Sequence, residues 1–248
     1  MSKLITITTE VNRRVMEMTV FPIIKALYYN DGTEIHKLVG TGFFLNSKGL
    51  FFSARHVFEG RDSVLDLEDA KSLAVYCVHS VHIKGKPVAR YIDLTSLKIR
   101  NDTDIAAGYV EMNQFGKGDS SITEEEIRNT AYFNYATVKD IPIGTEIWTV
   151  AYPLAVVNTL KDGGVHIYSK SDMYKGKITK HYPVRRDSCL ITWPCYETDM
   201  EIKGGASGGP VFISGSGGVA FAVNCTGTDP HCVSHVSSFA PLVSNLGS

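Results

Sequence analysis

The six residues Gly205-Ala206-Ser207-Gly208-Gly209-Pro210 place a hydroxyl among glycines, directly ahead of the apolar run Val211-Phe212-Ile213. A serine hydroxyl is a weak nucleophile by itself, and acyl transfer also needs donors aimed at the oxygen that turns negative in a tetrahedral intermediate. A glycine-flanked turn meets the second need. Glycine lets the chain bend sharply without steric penalty, so the backbone N–H groups of Gly205 and Ser207 can converge on one point. Gly208 and Gly209 leave room for close approach of backbone and substrate. Ordinary Ser/Gly turns share this composition, so a base and a residue to orient it must be found elsewhere. Phe51-Phe52-Ser53-Ala54-Arg55-His56-Val57 ends an apolar run with a histidine, and Asn101-Asp102-Thr103-Asp104-Ile105-Ala106 opens one with an aspartate. The other histidines, His36, His79, His82, His166, His181, His231 and His235, lack that context and read as surface or core residues.

These three segments together resemble the trypsin-like serine proteases, with Ser-Ala-x-His for the base, Asp-Ile-Ala for the orienting acid, and the order His, Asp, Ser along the chain. The similarity is closest to the HtrA-like branch. Thr198 to Pro210 matches that branch's Thr-Asp-x-x-Ile-x-x-Gly-x-Ser-Gly-Gly-Pro without a gap, and Phe239-Ala240-Pro241-Leu242 resembles its barrel-closing segment. The resemblance covers residues 20–245, leaving no room for a peptide-binding domain after them. It implies a serine endopeptidase acting on protein or peptide substrates without a cofactor or metal. His56 would be the general base, Asp104 its orienting acid, Ser207 the nucleophile, and the N–H groups of Gly205 and Ser207 the oxyanion donors. Asp102 competes with Asp104, but only Asp104 directly precedes Ile105-Ala106, which would bury its carboxylate beside His56. Ala206 stands where secreted trypsins carry the aspartate that pairs with a newly cut N-terminus, and Val57 stands in place of a cysteine. Activity without N-terminal cleavage is therefore expected.

The resemblance leaves the specificity pocket divided. The trypsin pattern puts Glu201 at its base, which would favour lysine or arginine; the HtrA-like alignment makes Ile202 the lining residue, with small or medium aliphatic side chains preferred. Across the pocket the strand holding Val223, Asn224 and Cys225 is expected to narrow the slot. A lone buried Glu201 carboxylate would be costly to desolvate. The aliphatic reading is favoured.

The elements that must position these residues read as short strands rich in β-branched and aromatic residues, divided by turns. Residues 21–29, 37–45, 50–54, 73–81, 88–99 and 105–110 form one series; residues 145–151, 165–169, 173–182, 188–193, 209–214 and 219–226 form another. This predicts an all-β chain of two six-stranded antiparallel barrels, a trypsin-like fold with short terminal and linker helices. The expected division is an N-terminal extension at 1–19 with helical spacing, a first barrel at 20–112 with His56 and Asp104, a linker at 113–137, and a second barrel at 138–248 with Ser207. Val11, Val15 and Met18 suggest the terminal helix, and Thr123 to Glu126 has capping-box spacing for the linker helix. Ser214-Gly215-Ser216-Gly217-Gly218 precedes a strand, not a helix, and so reads as a hairpin turn rather than a phosphate loop.

With 25 basic and 26 acidic residues and a net charge of −1, no global field draws the chain to nucleic acid or anionic lipid. The basic run from Lys170 to Arg186 lacks the aromatic interleaving of a nucleic-acid platform. No segment has the length of a membrane span or a signal peptide. Five cysteines, Cys77, Cys189, Cys195, Cys225 and Cys232, cannot all pair, and together with the absence of a leader suggest the cytoplasm. Cys225, His231, Cys232 and His235 fit no common zinc spacing. Two further functions are weighed: an inactive trypsin-fold module that binds peptides or partners, and an esterase-like hydrolase using the same three residues. The intact residue set argues against the first, and the missing strand–elbow–helix context against the second. A target or an unknown activating partner that orders the active-site loops would restrain such an enzyme inside a cell.

Overall fold

The computed structural model describes residues 16–60, 62–80, 87–112, 130–159, 165–228 and 233–243. Twelve strands close into two six-stranded antiparallel barrels. The first contains β1 (Val20–Tyr28), β2 (Glu34–Phe44), β3 (Leu50–Ala54), β4 (Ser72–Ser80), β5 (Pro87–Ile99) and β6 (Ile105–Val110), in the order β1-β2-β3-β6-β5-β4. The second contains β7 (Glu146–Thr159), β8 (Val165–Tyr182), β9 (Cys195–Thr198), β10 (Pro210–Ile213), β11 (Ala220–Thr228) and β12 (Val233–Ser238), in the order β10-β11-β12-β9-β8-β7. The described residues also include two four-residue helices, α1 (Arg55–Phe58) and α2 (Ala240–Val243). The part of the N-terminal extension that is described, residues 16–19, is helical. The linker helix expected at 123–127 lies outside the described residues.

Alternation along the strands sorts the side chains into three cores. Phe21, Ile23, Phe44, Phe51 and Val75 fill the first barrel. Ile147, Ile178, Val211, Phe221 and Val236 fill the second. A third cluster lies between them, where Val20, Phe43, Phe52 and Ile105 meet Val150, Phe212, Val223, Cys225 and Phe239. β1 is buried on both faces because Ile24 and Ala26, on its outer side, pack with Tyr76 and with Ile167 from β8. β1 also carries Lys25, fully buried, whose amine donates to Ser63 O, Asp66 O and Glu68 Oε1, each at 2.9 Å. These contacts compensate the charge that burial would otherwise make prohibitive. They also fix the loop after α1, whose Val64 and Leu65 N–H groups donate to Val57 and Phe58 carbonyls of that helix.

Three sequence expectations need correction. The expected separate strands at 165–169 and 173–182 are one strand of 18 residues. Its polar middle stays paired, with one shift of register between Ala151 and Leu154, because β7 is also longer than expected and pairs from Glu146↔Lys177 through Thr159↔Val165. The expected strand at 188–193 is a loop. Asp187 Oδ1 accepts the N–H groups of Cys189, Leu190 and Ile191, offering the backbone an alternative to a ladder, and β9 starts only at Cys195. β12 was not anticipated, because Ser234, His235 and Ser237 break the apolar pattern although all are fully buried.

His235 on β12 makes stability pH-dependent. Burial, aided by Arg186, lowers its pKa from 6.5 to about 4, and Glu197, 3.9 Å away, together with Asp187 opposes this without offsetting it. Between those two values the unfolded chain binds the proton and the folded chain does not. The contribution is therefore complete above pH 6.5 and is lost as pH falls toward 4, amounting to about 3 kcal/mol. Denaturant unfolding from pH 7 to 4 should show His235→Gln losing less stability than the wild type by about that amount. Equal losses would contradict it.

Candidate active site

His56 sits in α1, which begins where β3 ends, and Asp104 directly precedes β6, the strand paired with β3. The register Ala54↔Ile105 brings the two residues to the same end of the sheet. His56 Nδ1 lies 2.8 Å from Asp104 Oδ2, and the His56 backbone N–H donates to Oδ1 at 3.1 Å. The carboxylate therefore fixes both the ring and the chain that carries it. Its side chain is fully buried while that of His56 is 40% exposed, leaving the imidazole edge open to solvent. The Asp104 N–H donates to the Ser237 hydroxyl on β12 at 3.3 Å. Asp102 lies elsewhere: it is exposed and paired with Arg100 at 2.8 Å, whose hydrogen bond holds its carboxyl below the usual range.

Ser207 lies in the turn between Lys203 and β10. The Ala206 N–H donates to Lys203 O at 3.1 Å, and Gly205 has φ +85°, the left-handed third position of a type II turn. Neither the Gly205 nor the Ser207 N–H has a protein acceptor among the described residues. The turn is held from both barrels. Thr41 N–H on β2 donates to Ser207 O at 2.8 Å, Gly208 N–H to Asn224 O at 2.8 Å, and Asn224 N–H to Gly209 O at 2.9 Å. The Ser207 hydroxyl donates to Cys225 O at 2.8 Å.

Val223, Asn224 and Cys225, expected to wall a specificity slot, are all fully buried. Val223 belongs to the core between the barrels. Asn224 Nδ2 donates to Thr149 Oγ1 at 2.8 Å, making this residue a brace beneath the nucleophile turn. The Cys225 thiol donates to Val223 O at 3.8 Å, and burial first, then the negative charge of Asp104, push its pKa well above the usual range. A bulge between Asn224 and Thr226 interrupts the alternation along this part of β11. Glu201 is exposed, and Ile202 is half-buried against the core of the second barrel. His231 and Cys232 of the weighed zinc set lie outside the described residues.

Sequence reasoning missed Thr41, Ser237 and the bracing role of Asn224. Thr41 alone left a signal, as the polar residue of Gly40-Thr41-Gly42 inside an apolar strand. A Cβ at Gly40 would lie 2.5 Å from Val57 Cγ2 and 3.1 Å from Ser207 O, so β2 passes directly beneath the candidate site.

Residues 40–222 match the family model described as trypsin-like peptidase domain. The chain belongs to that family. A sequence comparison with curated proteins returns no match. Among solved structures this trypsin-like chain is similar to Deg5, with TM-score 0.60, 15% identity, and coverage of 96% of this chain and 92% of that one. It is also similar to the active form of the Rv3671c protease from M. tuberculosis, with TM-score 0.52, 14% identity, and coverage of 94% and 82%. The HtrA-type protease AlgW with a decapeptide gives TM-score 0.54 at 11% identity, with coverage of 91% and 62%. At these identities the likeness is one of fold.

Proposed function

We propose that this trypsin-like chain is a serine endopeptidase in which Ser207 is the nucleophile, His56 the general base and Asp104 the residue that orients it. The observation that carries the reading is the His56–Asp104 pair at 2.8 Å, set at the same barrel junction as a turn whose Gly205 and Ser207 N–H groups have no protein acceptor among the described residues. His56 Nδ1 is bound to the carboxylate, which leaves Nε2 as the nitrogen that takes the Ser207 proton. Ser207 Oγ then attacks the peptide carbonyl, and the N–H groups of Gly205 and Ser207 receive the developing oxyanion. His56 returns the proton to the leaving amine, and the acyl-enzyme is hydrolysed by a water that His56 activates. In the resting arrangement the hydroxyl is turned onto Cys225 O. Rotation about one side-chain bond releases it, consistent with catalytic hydrogen bonds that tighten only when substrate binds.

Labelling with a fluorophosphonate followed by cleavage of a peptide library tests this. Ser207-dependent labelling and internal peptide cleavage are expected. Absence of labelling would favour a binding module, and labelling with ester but not peptide hydrolysis an esterase. The exposure of Glu201 and the packing of Ile202 support cleavage after small or medium aliphatic residues. Dominant cleavage after lysine or arginine, abolished by Glu201→Gln, would reverse that preference.

A further inference from the structure

Thr41 is fully buried, yet all its polar groups are used, and three of the four contacts reach the second barrel. Its N–H donates to Ser207 O at 2.8 Å, and its carbonyl accepts the Ser53 hydroxyl at 2.7 Å within the first barrel. Its own hydroxyl donates to Gly205 O at 2.8 Å and accepts the Tyr152 N–H at 3.0 Å. Tyr152 needs that acceptor. The β7–β8 ladder breaks between Ala151 and Leu154, which takes the Tyr152 N–H out of the sheet at a buried position. The oxyanion turn is tight against the same break: a Cβ at Gly205 would stand 2.9 Å from Tyr152 O and 2.7 Å from Leu38 Cδ2.

From this we infer that Thr41 is a positioning residue for the oxyanion turn, its hydroxyl bridging the irregular root of the β7–β8 hairpin to the Gly205 carbonyl. The inference rests on the peptidase reading and assigns a role to a residue that reading does not use. Holding the Gly205 carbonyl limits rotation of the glycine's ψ and so fixes the plane of the Gly205–Ala206 peptide. The left-handed φ of Gly205 fixes the other side of the residue. The direction of the Gly205 N–H is then set by a group on the opposite barrel. Glycine is otherwise free to swing that N–H away from the oxyanion, because it lacks the steric restraint a Cβ imposes. Valine at position 41 keeps the shape of threonine but loses both roles of the hydroxyl. Serine keeps the hydroxyl and loses only a methyl.

The experiment measures kcat and KM separately on the best library peptide and on p-nitrophenyl acetate, with affinity for phenylboronic acid, which forms a tetrahedral adduct on an activated serine. In Thr41→Val, kcat should fall about 10- to 100-fold, less than the loss of a whole oxyanion donor. KM for the peptide should stay within about two-fold, and phenylboronic acid should weaken in parallel with kcat. Thr41→Ser should recover most of both. If Thr41→Val does not fold by circular dichroism, Thr41→Ala removes the same hydroxyl without a branched methyl against the turn and is read identically. Unchanged kcat in the hydroxyl-less variant would overturn the inference. So would a fall in kcat with phenylboronic acid affinity intact, or failure of Thr41→Ser to rescue. A wild-type chain inactive on both substrates and unlabelled by a fluorophosphonate would instead remove the peptidase reading, and the inference with it.

Discussion

Ser207→Ala is expected to lower peptide turnover by about 10⁶-fold, and His56→Ala by a similar factor, because nucleophile and base act as one unit and neither retains its function without the other. The effect is chemical, not structural. Ser207 anchors its turn through its carbonyl, bonded to Thr41, and alanine keeps that contact while losing only the hydroxyl donated to Cys225 O. The Ser207→Ala protein should therefore unfold at nearly the wild-type denaturant midpoint. Asp104 differs on both counts. Replacing it by alanine should cost somewhat less turnover, since nucleophile and base remain. It should cost more stability, because the His56 N–H and ring lose a buried acceptor. Active-site titration with a fluorophosphonate, alongside urea unfolding, separates the two. Turnover by Ser207→Ala within about 100-fold of the wild type would sink the assignment of the nucleophile.

The second large effect is expected at Gly208, where no side chain fits. A Cβ there would sit 2.1 Å from Thr41 O, 2.2 Å from Ser53 Oγ and 2.9 Å from Ala54 N, two of which are backbone atoms of the first barrel. The residue also has φ +88°, which an L-side chain adopts only under strain. Gly208→Ala must push the barrels apart, break the Ser53–Thr41 hydrogen bond and distort the turn that carries Ser207. Overpacking, backbone strain and the broken bond together should destabilise the fold by about 4 kcal/mol. Activity at temperatures where the variant is still folded should also be lost, because the strain falls on the residue next to the nucleophile. Gly215→Ala serves as the control. It has a similar φ of +82° but open space around its Cβ, so it should cost only about 1–2 kcal/mol and leave activity intact. Urea midpoints for the two variants decide it: equal losses would show that the barrel contact at Gly208 carries no weight.

Much of this protein is legible from local pattern. Strands such as Leu50–Ala54 and Ile105–Val110 follow from short runs of apolar and β-branched residues between turns, and they appear with those bounds. The nucleophile turn is legible because Gly205 and Gly208 have a local reason to be glycine, a positive φ. Elements that depend on partners were not. β12 carries serines and a histidine that are stable in the interior only because neighbouring strands satisfy or enclose them, as in the Ser234–Thr198 hydroxyl pair at 2.7 Å. The loop at 188–193 has the composition of a strand, and one carboxylate, Asp187, overrides it.

The amino-acid sequence by itself determined the two-barrel class and the residue types and order of the candidate site, because strand periodicity, turn chemistry and short motifs act over a few residues. Tertiary structure alone decided which groups hold that site in shape. Ser237 reaches Asp104 across 133 residues, and Thr41 reaches Gly205 across 164. Such contacts leave no periodic trace at either end, since a single hydroxyl or N–H meeting a carbonyl constrains one residue at each partner and nothing around it. The same holds for Asn224 and Cys225. Asn224 braces Thr149, and Cys225 stands at a bulge in β11 that exists only once the strands have paired.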